Sequence, residues 1–127
     1  MKLSTMATMA ALLLASGCQS DAYVRSQPPL TTFTASRNVD ATVTCLIPSL
    51  GKNLSAAAIG NFRFVAQVIA PGTEYDIVPT DGFVNGHYTY TVNVKANGKT
   101  STIALYKGQA MLPSLTEAIK TGIKACL

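Results

Sequence analysis

One histidine, His87, is all that the 127 residues contain. No Cys-x-x-Cys pair accompanies it, so the nitrogen and sulfur donors of a zinc site are missing, and no metal site is expected. Gly-x-Ser-x-Gly does not occur, nor does a glycine-rich phosphate loop. Ser49-Leu50-Gly51-Lys52 has the Ser-x-x-Lys spacing, but a lone match at the end of a predicted helix carries no chemistry. Glu74 and Asp76 share a side of a predicted strand, and no further acidic residues gather near them to complete a cation site, so they read as a solvated edge. Asp81-Gly82 is a turn without the spacing of a calcium loop. His87 follows Asn85-Gly86 on the polar side of a strand, with neither a nucleophile nor an orienting group beside it. The chain is therefore predicted not to be an enzyme. Its basic residues are scattered from Arg25 to Lys124 without a cluster, which argues against nucleic acid as a partner.

Long apolar runs are also lacking. The longest, Met6–Leu14, falls well short of the ~20 residues that cross a bilayer as a helix. It sits instead in the layout of a secretory signal peptide: Lys2 first, then the apolar stretch, then the small residues Ala15, Ser16 and Gly17. Loss of residues 1–17 leaves about 110 residues, enough for one modest core, and lowers the net charge from +4 to about +3 because Lys2 goes with them.

The ending Leu14-Ala15-Ser16-Gly17-Cys18 resembles the lipobox of bacterial lipoproteins. The resemblance covers about 18 residues, and Ala15 stands where the family prefers Leu. It implies a diacylglycerol thioether on Cys18, cleavage between Gly17 and Cys18, and a further fatty acid such as palmitate on the new N-terminus. No other cofactor is implied. Two or three acyl chains anchor a protein stably where one does not. Residue 19 is Gln rather than Asp, which by the enterobacterial sorting pattern implies the periplasmic face of the outer membrane. The competing reading is an ordinary signal peptide cut near Ala15–Gly17, with Cys18 left as a thiol.

With Cys18 lipidated, Cys45 and Cys126 remain, and in an exported chain they are candidates for one disulfide. Closing a loop of about 80 residues stabilises by roughly 4–5 kcal/mol in the chain-entropy model. A metal pair and a reactive thiol are the rival uses of these sulfurs.

The chain then divides into a signal peptide (1–17), a lipidated cysteine with a flexible tether (18–35) and a single small α+β domain (36–127). The tether reading rests on the polar, Thr-rich stretch with Pro28-Pro29. Ser36 or Asn38 can cap a first helix whose apolar face holds Val39, Val43 and Leu46, stopped by Pro48 and Gly51. Residues 55–69 predict a helical turn and then a strand from Asn61 to Ile69, with helix as the alternative; Glu74–Val78 predicts another strand. His87–Lys95 alternates cleanly, and Asn97-Gly98 signals a hairpin that would set Val94 opposite Ser101 and Val92 opposite Ile103. A last helix opens at Pro113 or at the Ser114/Glu117 capping box, with Leu115, Ala118, Ile119 and Ile123 as its stripe. The expected fold is an antiparallel sheet of three or four strands with two helices packed on one face and linked by the disulfide.

Anchored in this way, the domain reads as a cell-envelope protein with a structural or partner-binding role. The apolar tip Phe83-Val84-Asn85 is the candidate contact loop for an envelope protein partner. An alternative comes from Tyr106-Lys107-Gly108-Gln109-Ala110, which resembles a stretch of the small lipoprotein inhibitors of lysozyme, although those are nearly all-β barrels and this chain ends in a helix. A cell-wall hydrolase is the third reading.

Overall fold

The computed structural model describes residues 21–80, 83–84, 87–108 and 112–127. Its organising element is the hairpin of β6 (Tyr90–Asn97) and β7 (Thr100–Lys107). Alternation puts Tyr90, Val92 and Val94 on one face of β6 and Ile103 and Leu105 on the same face of β7, all fully buried. The turn is one residue later than expected. Gly98 and Lys99 form the loop, Gly98 takes φ +61°, and Val94 pairs with Ile103 rather than Ser101. The displacement moves each partner by two residues, so every side chain keeps its predicted face.

Outward from the hairpin, β3 (Glu74–Pro79) pairs with β6, and β2 (Phe64–Ala70) pairs with β3. On the other side β1 (Thr31–Ala35) pairs with β7. The result is a five-stranded antiparallel sheet in the order β1-β7-β6-β3-β2, larger than the three or four strands expected. A separate ribbon joins β4 (Phe83–Val84) to β5 (His87–Tyr88).

Two corrections concern the N-terminal part. Residues 21–35, expected as part of a flexible tether, hold helix α1 (Asp21–Ser26) and strand β1. Thr31-Thr32-Phe33-Thr34-Ala35 alternates, with Ala35 fully buried and Thr32 and Thr34 exposed, which is how a short edge strand satisfies both water and core. Helix α2 (Val39–Ala57) continues past Pro48. A helix-interior proline costs about 3 kcal/mol, but Leu50 and Leu54 beyond it are buried and recover about 1.5–3 kcal/mol each. The stripe Val39, Val43, Leu46, Leu50, Leu54 therefore stays on the sheet. Asn38 is the cap, its Oδ1 accepting from Ala41 N at 2.9 Å.

Helix α3 (Pro113–Lys124) starts with Pro113 in its first turn, and no side chain caps it, so the Ser114/Glu117 box is not used. It packs on α2 where Gly122 allows close approach: a Cβ there would lie 3.2 Å from Ser49 O. Ser49, the serine of the Ser-x-x-Lys match, donates to Gly122 O at 2.8 Å and so serves this helix contact. The Cys45–Cys126 disulfide joins α2 to the turn just after α3, with the Cα atoms 5.8 Å apart.

Candidate functional site

Three regions carry polar or exposed apolar groups beyond the needs of the core. The first is the sheet face away from α2 and α3. Asp76 projects there from β3 and is only 1% exposed. Arg25 of α1 forms an ion pair with its Oδ2. Asn93, opposite Asp76 on β6, donates to Asp76 Oδ1 and to Glu74 Oε1, each at 2.9 Å. The acidic pair read as a solvated edge is thus a covered cluster, because α1 lies over it and buries Val24 as well. Its geometry holds the N-terminal helix to the sheet like a strap. Asn93 hydrogen-bonds Oδ1 of the buried carboxylate, while Oδ2 has the Arg25 charge beside it and no hydrogen bond from a described residue, so the cluster reads as an ion-paired strap.

The second region is the margin between α2 and β2. Here a groove of about 480 Å³ opens, lined on the helix side by Ile47, Gly51 and Ser55 with Pro48 and Lys52. Phe62, Arg63 and Phe64 line the other wall. Helical spacing of four puts Ile47, Gly51 and Ser55 in line. Gly51 is required by the approach of the facing chain, since a Cβ there would stand 2.9 Å from Phe62 O. Ser55 Oγ accepts from Phe62 N at 2.9 Å and fixes that chain in place. The groove is mostly apolar with two cations and no carboxylate on its walls. Neither Lys52 nor Arg63 forms an ion pair with a described residue.

The third region is the β4–β5 ribbon, where Phe83 pairs with Tyr88 and Val84 with His87. Two residues of the candidate contact loop, Phe83 and Val84, are therefore strand residues; Asn85 lies outside the described residues. Gly17 and Cys18 also lie outside them. Cys45 and Cys126 are brought together as predicted. Tyr90 faces the core, with its hydroxyl 2.9 Å from Thr116 Oγ1, and Tyr106 lies on the opposite face. Burial raises the Tyr90 pKa above the usual 10.0, outweighing the bond to Thr116, which lowers it.

No protein-family model matches the chain, and no curated protein matches it. Among the described residues no three His, Cys, Asp or Glu side chains gather as metal ligands, and no helix is long and apolar enough to cross a membrane. The sheet is open, with β1 and β2 as edges. The strap and the groove cations escaped sequence reasoning. The signal for the strap was Val24-Arg25 before an alternating TTFTA; for the groove it was a second edge strand, FVAQVIA, without a single charge.

Proposed function

We propose that this chain is a lipid-anchored cell-envelope lipoprotein with a partner-binding role. The anchor is acylated Cys18, and the domain stands at the periplasmic face of the outer membrane. The observation that carries the reading is the Cys45–Cys126 disulfide. It befits an exported chain, and it leaves Cys18 as the one cysteine outside the bridge, at the position where the lipobox-like ending requires it. The strap adds a geometric consequence. Only two residues, Gln19 and Ser20, separate Cys18 from the start of α1, a reach of about 11 Å at most. A domain so attached works at the membrane surface, on partners that are there too. No catalysis is assigned to it.

Metabolic labelling with a palmitate analogue tests the anchor. The wild type is expected to incorporate label and to fractionate with membranes, while Cys18→Ser loses both. A mature N-terminal peptide that carries no lipid, with Cys18 as a bare thiol, would overturn the reading.

A further inference from the structure

Edge strands in monomeric proteins are normally guarded by lysine, proline or a covering segment, because their free backbone groups invite another strand. β2 has little such protection. Phe64–Ala70 contains no charged residue and no proline, and its one guarding feature is the irregularity between Val68 and Ala70. Thr80 N donates to Arg63 O, which makes Arg63/Thr80 a hydrogen-bonded pair. By antiparallel alternation the N–H and C=O groups of Phe64 and Ala66 then point away from β3, and no strand of the described residues lies on that side. Apolar side chains crowd the same margin: Val65, Val68 (59% exposed) and Ile69 on β2, and Ile59 (107% exposed) just before it. The groove between α2 and β2 opens beside them, with Lys52 and Arg63 unpaired by any described residue.

We propose that this margin takes an extended segment of another envelope protein as a sixth strand. A carboxylate side chain of that segment lies between Lys52 and Arg63, and an apolar side chain enters the groove. Main-chain bonds to Phe64 and Ala66 supply affinity, and the groove and cations supply specificity. Charge decides against a second copy of this chain as the occupant, since β2 offers no acidic residue to those cations. The inference rests on the partner-binding half of the proposed function and is independent of the lipid.

The test is selection from a random library of heptapeptides, acetylated and amidated at their ends, on the full mature protein in detergent micelles. Enriched sequences are expected to carry Asp or Glu at one fixed position and β-branched residues at alternating positions. Ala66→Pro removes an outward N–H without touching the β3 ladder, and proline is tolerated on an edge; binding should fall at least tenfold. Lys52→Glu with Arg63→Glu should invert the selected residue to Lys or Arg. Circular dichroism and the urea midpoint report that each variant is folded. The proposal is overturned by selection without an acidic preference, by a preference that survives the charge reversal, or by binding that survives Ala66→Pro. No enrichment from this capped library, with binding seen only for a parallel library left with free C-terminal carboxylates, would also overturn it. So would a concentration-dependent dimer abolished by Ala66→Pro, which would give the edge to a second copy. Because binding is read whatever Cys18 carries, failure here leaves the anchor standing, and failure of the anchor leaves this.

Discussion

The two faces of the sheet are closed by opposite kinds of chemistry. Toward α2 and α3 the contact is apolar and covalently fastened: Tyr90, Val92, Val94, Ile103 and Leu105 meet the leucine stripe of α2, and Cys45–Cys126 ties the helices together. Toward α1 the cover is one short helix held by Val24 and the Arg25–Asp76 pair. Apolar burial is additive and non-directional, so the first face tolerates local error. Removing one partner of an ion pair with a buried carboxylate leaves the other charge uncompensated, so the second face is sensitive to one substitution. The durable side makes the fold, and the conditional side positions the chain that leads to the anchor.

Removing the covalent tie tests this contrast most severely. The Cys45→Ala/Cys126→Ala double variant should lose about 4–5 kcal/mol, the loop-closure value for a separation of 81 residues, read from urea unfolding as a lower midpoint with a steeper slope, because the unfolded chain without the bridge exposes more surface. A loss under 1 kcal/mol would mean that packing alone holds that face.

A smaller effect is expected on the other side. Arg25→Ala leaves Asp76 buried without its cation and should cost about 2 kcal/mol, less than a fully buried pair because Arg25 is 38% exposed. Hydrogen exchange should quicken in residues 24–30 while β6 and β7 stay protected. Arg25→Met with Asp76→Leu should recover most of the loss, since apolar replacement of a buried pair is near neutral. If the double variant is as unstable as Arg25→Ala, the pair is not what closes this face.

The smallest effect is pH-dependent. The folded Tyr90 pKa is raised, so the unfolded chain releases this proton first as the solution becomes alkaline. The contribution is complete below pH 10 and is lost as pH rises through the raised folded value. Tyr90→Phe should cost about 1 kcal/mol at neutral pH through the lost bond to Thr116 and should flatten the decline above pH 10. Urea midpoints from pH 8 to 11 measure both.

What was legible beforehand followed short-range physics. Alternation in Tyr90–Val94 predicted the faces of β6, and because pairing preserves parity, the misplaced turn at Gly98 cost nothing but the partners. The disulfide followed from counting sulfurs. Pro48 misled because a propensity rule was set against burial that lies beyond it in the chain, and the burial of Leu50 and Leu54 prevailed. Asp76 was misplaced because its cover, Arg25, is 51 residues away in the chain. Lys52 and Arg63 look unrelated in sequence and line one groove only because the chain turns back over Gly51.

The disulfide also gives the molecule a mechanical polarity. The bond closes residues 45–126 into a covalent ring that contains β2 to β7. What lies ahead of Cys45 is a tail: the strap, β1 and the first turns of α2. A pull on the N-terminus against a load gripped at β2 would peel that tail first and bear on the ring only afterwards. There the sulfur bridge divides the tension between two paths, the short one through residues 46–63 and the long one through Cys126.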